Sequence, residues 1–232
     1  MMSTQKRLKG ILFDFNGTLF FDTDCHVKAF EKYYASKNMD VPSREFIITN
    51  LFGLSNEAIY RSYFDANATI EDCKRFGREK EGFYYEACLT PPFEMKYSNG
   101  VCELLTYLKE NGIPYCLATG AGLDNIAFYN EHLELSKWFD REHIVCADDD
   151  VKCKPDPAIY EYAASKIGLT APECIVFEDG TLGLIAANKA NAGAAIAIYE
   201  EGLASPLIEG AHADAVYHDF SKWREILQGF GL

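Results

Sequence analysis

Ile11-Leu12-Phe13-Asp14-Phe15-Asn16-Gly17-Thr18-Leu19-Phe20 is the stretch around which the rest of the chain is organised. From Leu8 the run is almost continuously apolar apart from Lys9 and Gly10, a pattern that suits a strand buried on both faces. Asp14 interrupts it at the C-terminal end, and Gly17-Thr18 follows at once as a turn. An ionised carboxylate at the mouth of a buried strand is costly unless a cation or a donor meets it. In an open α/β sheet, the carboxyl ends of the strands are where ligands sit. A strand that merely ends in an Asp-containing turn has the same local sequence, so the remaining strand ends must decide.

Composition narrows the field. The 232 residues are 48% hydrophobic and 25% charged, as in ordinary globular proteins, and suffice for one domain carrying an inserted module. A net charge of -13 argues against nucleic acid and anionic membranes as partners. It also means that a phosphorylated ligand needs a local cation to reverse the field. The eight cysteines contain no CxxC pair, and Cys116 and Cys174 lie in apolar strand-like runs. Reduced thiols and a cytoplasmic location are therefore expected. The polar Met1–Lys9 stretch lacks the apolar core of a signal peptide, and no apolar run approaches a membrane span.

After Gly17-Thr18 the periodicity turns helical. Thr23 or Asp24 is placed to cap a helix through about Lys37 with Val27, Phe30, Tyr33 and Tyr34 on one face. Pro42-Ser43 opens a second helix to about Leu51, Ser55 a third, and Thr69 with Asp72 a fourth that ends before Pro91-Pro92. From about Ser98 to Glu110 a further helix runs up to the stop at Asn111-Gly112. Strands are then expected at Ile113–Ala118, His143–Ala147, Cys174–Phe177 and Ala194–Tyr199, with a short sixth at Ala215–Tyr217. Helices to about His132, over Pro155–Ile167, up to about Ala192 and over Ser221–Gln228 separate or follow them. This alternation predicts an α/β fold: a doubly wound, mainly parallel, Rossmann-like sheet with an inserted α-helical cap. The core is expected to comprise residues 1–21 and 93–232, and the cap residues 22–92.

Three of the strands end in polar residues at one edge of such a sheet: Asp14, Thr119, and Glu178-Asp179, with Lys154 following the third strand. A lone Thr after a strand is commonly a turn or cap residue, but four polar positions on one edge form a set. Asp14, Glu178 and Asp179 are hard oxygen donors suited to Mg²⁺. Asp14 also has the chemistry of a nucleophile that forms an aspartyl-phosphate. Thr119 and nearby backbone N–H groups suit non-bridging phosphate oxygens, and Lys154 suits the charge of a transferring group.

These motifs resemble the haloacid dehalogenase superfamily, in the branch with a helical cap after the first strand. The resemblance runs from about Leu8 to Tyr199. It rests on Asp14-Phe15-Asn16-Gly17-Thr18-Leu19, Ala118-Thr119-Gly120, Lys154-Pro155-Asp156-Pro157 and Val176-Phe177-Glu178-Asp179-Gly180, with Gly183 and Ala187. β-Phosphoglucomutase-like and phosphosugar phosphatase members are nearest in pattern. The resemblance implies Mg²⁺-dependent phosphoryl transfer from a small phosphorylated metabolite through Asp14. It also implies that Asn16 lends its backbone carbonyl to the metal, that Thr119 and Gly120 bind phosphate, and that Lys154 assists.

Asn16 departs from the family pattern, which has an acid–base Asp there. An amide cannot donate and recover a proton at neutral pH, which removes a contribution of about 10²–10⁴-fold. Asn also suits the turn sterically. Low phosphatase activity, a non-catalytic or engineered inactive binder of phosphometabolites, and a β-phosphoglucomutase-like isomerase all remain open. The isomerase is weakened because no Arg or Lys closely flanks Gly53-Leu54-Ser55-Asn56, the loop by which capped relatives read the leaving group. Gly53 and Ser55 are candidate substrate contacts, with a helix N-cap as the alternative role of Ser55. His26 is a further candidate. The cap lysines Lys28, Lys32, Lys37, Lys74 and Lys80 are expected mostly on solvated helix faces. Oligomeric state is not legible.

Overall fold

The computed structural model describes residues 8–203 and 211–232. Most of the polar N-terminal stretch considered as a leader, residues 1–7, therefore lies outside the described residues. The chain divides into two compact units, one of Met1–Phe21 with Lys96–Leu232 and one of Asp22–Met95.

The first unit is built on six parallel strands: β1 (Gly10–Phe13), β2 (Tyr115–Ala118), β3 (Ile144–Val145), β4 (Cys174–Glu178), β5 (Ala194–Ile198) and β6 (Ala215–Tyr217). Their order is β3-β2-β1-β4-β5-β6. The chain steps outward from β1 to β3 and then returns to lay β4 on the other side of β1. The strand order thus reverses between β1 and β4, the crevice at which doubly wound sheets take ligands.

Alternation along the strands fills both faces. Leu12, Cys116, Val176 and Ala195 join Ile159, Ala163, Leu184 and Ala187 from helices α7 (Ala158–Lys166) and α8 (Thr181–Lys189) in one core. On the other face the cross-strand partners Phe13 and Phe177 stack at 5.4 Å, and Phe220 packs 5.1 Å from Phe177. Each of the larger side chains buried here, Leu, Ile, Val or Phe, contributes about 1.5–3 kcal/mol.

Several boundaries depart from expectation. β2 begins at Tyr115 because Pro114 has no N–H, although its carbonyl still accepts from Ile11 at 3.1 Å. β3 is two residues long rather than five. α7 starts at Ala158 rather than Pro155, after Asp156 has accepted from the Ala158 N–H at 3.0 Å. Glu178 is the last residue of β4 and not the first beyond it. The last helix begins at Trp223, since Asp219 holds the Ser221 N–H and hydroxyl.

The second unit is helical: α1 (Thr23–Ser36), α2 (Arg44–Asn50), α3 (Asn56–Tyr63) and α4 (Ile70–Leu89). Ser43 and Ser55 cap α2 and α3, and Thr69 with Asp72 forms a capping box on α4. The cap of α1 is a correction. Asp22 and not Thr23 or Asp24 occupies that position, and its carboxylate bonds elsewhere instead of closing the helix. Val27, Phe30, Tyr33, Tyr34, Ile47, Ile59 and Phe76 make the core.

Candidate active site

Asp14 is the first residue beyond β1, and its N–H still donates to Phe177 at 2.9 Å. The chain then winds around the Phe15 carbonyl, which accepts from the N–H groups of Leu19 at 2.9 Å and Phe20 at 3.1 Å. This tight path requires a left-handed residue, and Gly17 sits at φ +74°. A Cβ there would lie 2.0 Å from Asp179 Oδ2, so the glycine also admits the carboxylate from β4's end.

Lys154 reaches in from the segment before α7, and its ammonium bonds both Asp14 Oδ1 and Glu178 Oε1. Glu178 is held on every side. Tyr160 of α7 donates to Oε1 at 2.5 Å, and the N–H groups of Asp179 and Gly180 each donate to Oε2 at 3.1 Å. Thr18 adds a hydroxyl bond to Asp14 Oδ2 at 3.3 Å. Gly183 is needed here, because a Cβ would stand 1.9 Å from the Glu178 carboxyl.

The electrostatics follow from two buried carboxylates, Asp14 and Glu178, sharing this ammonium, with Asp179 close to both. Burial, reinforced by Glu178, raises Asp14 to about 7 against the opposing pull of Lys154 and Thr18. Burial alone lowers Lys154, but Asp14 and Glu178 outweigh it and hold the ammonium above its ordinary value. Burial and the neighbouring carboxylates push the Tyr160 hydroxyl up. Asp14, Glu178 and Asp179 offer oxygens that lie within 4.8 Å of one another. That crowding of hard, anionic donors fits a divalent cation such as Mg²⁺.

The other candidates are placed as follows. Thr119 is buried at the end of β2, and its hydroxyl accepts from the Ala121 N–H at 3.0 Å, the turn-stabilising role weighed for it above. Gly120 beside it is exposed. Asn16 is half-buried, and its amide donates to the Tyr129 hydroxyl at 2.7 Å. Gly53, Ser55 and His26 belong to the helical unit. Ser55 accepts from Ala58 at 3.2 Å as the α3 cap, and Gly53 takes φ +78°. The His26 ring stacks 4.2 Å from Tyr84, and its Nε2 lies 3.2 Å from Asp22, which also accepts from Tyr84 at 2.5 Å.

Lys28, Lys32, Lys37 and Lys74 are exposed as expected, but Lys80 is not. It is buried, paired with Glu81 at 2.5 Å and set 5.5 Å over the Phe30 ring. Its place on α4 between Phe76 and Tyr84, at helical spacing from both, was the available signal. Tyr129 and Tyr160 also escaped notice. Each lies in an apolar helical run that reads as core, and only the fold reveals what its hydroxyl meets.

The sequence profile of the haloacid dehalogenase-like hydrolases matches residues 11–197. A Drosophila melanogaster protein named "Probable pseudouridine-5'-phosphatase" is 39% identical over 97 residues, a stretch covering 39% of this chain and 41% of that protein. The "Phosphorylated carbohydrates phosphatase" of Thermotoga maritima is 25% identical over 79% of this chain and 82% of its own length. The crystal structure of a family IA, variant 3 hydrolase from Entamoeba histolytica superposes with a TM-score of 0.83 at 30% identity, covering 97% of this chain and all of that one. Among the described residues, no helix is long and apolar enough to cross a membrane.

Proposed function

Because the chain belongs to the haloacid dehalogenase-like hydrolase family, we propose that it is a Mg²⁺-dependent phosphatase of small phosphate monoesters, phosphosugars above all, working through an aspartyl-phosphate on Asp14. One observation carries the proposal: Asp14, Glu178 and Asp179 converge at the β1–β4 crevice, where Lys154 pairs with the first two. Phosphatase names among the relatives, one of them for phosphorylated carbohydrates, support the substrate class.

Asp14, Asp179, Glu178 and the Asn16 backbone carbonyl are the groups assigned to Mg²⁺. When bound, the ion neutralises charge on the phosphoryl oxygens. An Asp14 oxygen attacks phosphorus as the bond to the leaving oxygen breaks. Thr119, Gly120 and nearby N–H groups hold the non-bridging oxygens, and Lys154 favours the ionised form of Asp14 and orients it. Water then attacks the aspartyl-phosphate, releasing inorganic phosphate and restoring Asp14. Asn16 cannot protonate the leaving oxygen or take the proton from that water, so both steps lose acid–base help. The second step suffers most when the leaving group needs no proton. Gly53, Ser55 and His26 are proposed substrate contacts of the helical unit.

A panel of phosphate monoesters assayed with Mg²⁺ tests this. With p-nitrophenyl phosphate or acetyl phosphate, a burst of product and accumulation of phosphoenzyme should precede slow turnover. Asp14→Asn should abolish burst and turnover together. Turnover that survives Asp14→Asn would falsify the assignment. Asn16 also favours a second reading, a binder of phosphometabolites that does not turn over. Substrate-dependent thermal stabilisation with no burst and no hydrolysis is its signature.

A further inference from the structure

Asn16 stands where an acid–base carboxylate is expected, yet its side chain is engaged: the amide Nδ2 donates to the Tyr129 hydroxyl at 2.7 Å. Tyr129 is fully buried on α6 (Leu123–Leu133). Its ring lies 4.5 Å from that of Phe15 and 6.1 Å from that of Phe20, the two residues that flank the loop carrying Asn16. A backbone bridge joins Asn16 to Phe20 and closes that loop. The hydroxyl is therefore fixed by packing before it meets the amide, a rigid anchor from another helix.

We propose that Tyr129 is a positioning residue of the phosphoryl-transfer site, holding the Asn16 amide and thereby the loop that presents Asp14, and that it makes an amide the matched side chain at position 16. This rests on the phosphoryl-transfer reading given above. The amide brings its own N–H to the tyrosine oxygen. A carboxylate at the same place has only lone pairs, so Tyr129 must turn its O–H toward it. That charge-assisted bond in a poorly hydrated spot is strong. It ties down an oxygen that acid–base catalysis needs to be available. Asp at position 16 therefore recovers little of its full value while the tyrosine hydroxyl remains.

The test is a double-mutant cycle between positions 16 and 129, read as kcat for p-nitrophenyl phosphate hydrolysis with Mg²⁺. Tyr129→Phe alone should lower kcat several-fold, because the loop loses its anchor. In the Asn16→Asp background the same change should raise kcat about tenfold, because the carboxylate is released. A sign reversal of this kind is coupling that simple loss of packing does not produce. Equal fold-effects in both backgrounds overturn the proposal. A second measurement does not depend on activity or on the variants folding: in the native protein the Asn16 side-chain amide protons should exchange with solvent far more slowly than those of exposed Asn38. Exchange at the same rate also overturns it. If neither Asp14→Asn nor the cycle changes any hydrolysis, the phosphatase reading fails, while the exchange measurement still decides the Tyr129 anchor.

Discussion

The same two strands carry opposite charge patterns at their two ends. At the N-terminal edge, Lys9 precedes β1 and Glu173 precedes β4, and their side chains pair at 2.5 Å while 52% and 31% exposed. At the C-terminal edge, Asp14 follows β1, Glu178 ends β4 and Asp179 follows, and the Asp14 and Glu178 side chains are only 9% and 2% exposed. The first edge is balanced and wet; the second is crowded with like charge and dry. Lys9 and the Thr170 N–H and hydroxyl hold Glu173 down to about 2, whereas burial raises Asp14 to about 7. A charge that needs nothing from outside marks an end that only joins strands. A buried excess of one sign is what the proposed cation and anionic substrate would answer.

The largest effect that separates the edges is expected at Lys154. Lys154→Met leaves Asp14 and Glu178 buried without their shared ammonium, and such a loss typically costs about 3–5 kcal/mol. Saturating Mg²⁺ should return much of that stability, since a cation again stands among the carboxylates. Lys9→Met at the other edge should cost far less and be indifferent to Mg²⁺. Urea unfolding of both variants with and without Mg²⁺ checks this. A Lys154→Met protein that is as stable as the native one without metal means the carboxylates are not in need of charge.

How much of this was legible depended on where each signal lies along the chain. Asp14, Thr119 and Glu178-Asp179 each end an apolar run, so a period-2 or continuous apolar pattern placed them at one edge before any fold was known. Lys154 followed from the loop after β3, even though β3 itself is only Ile144–Val145. The contacts that orient these residues were not legible. Tyr160 meets Glu178 across 18 residues and Tyr129 meets Asn16 across 113. A tyrosine in an apolar helical run has the same local signature whether its hydroxyl faces solvent or a catalytic loop. The α1 cap was missed for a related reason: Asp22 has the sequence of an N-cap, but Tyr84 on α4 competes for its carboxylate.

A smaller effect, of opposite sign, is expected at Asp179. Asp179→Ala removes one of three crowded carboxylates, so metal-free stability should hold or rise by at most about 1 kcal/mol. The gain in melting temperature that Mg²⁺ gives the native protein should disappear. Thermal melts with and without Mg²⁺ measure both quantities. A clear loss of metal-free stability makes Asp179 a structural partner, and the like-charge account of this edge is then wrong.

The smallest effect belongs to the balanced edge and has a definite pH window. Glu173 lies at about 2 in the folded chain against an ordinary 4.5, first because Lys9 bonds its ionised form and then because Thr170 does. A carboxyl whose folded value is depressed binds fewer protons than it does unfolded, so its contribution is complete above about 4.5 and fades as pH falls toward 2. Glu173→Gln removes that contribution, keeps the shape, and leaves Lys9 exposed to water, where its loss of a partner matters little. Urea midpoints of native protein and Glu173→Gln should therefore differ by a constant small amount from pH 7 down to about 5 and converge near pH 2. The Asp14 edge has no part in this window, because the substitution lies at the opposite ends of the strands. A difference at pH 2 as large as at pH 7 means that Glu173 acts through packing or its capping bonds to Thr170 rather than through charge, and the contrast between the two edges then loses its simpler half.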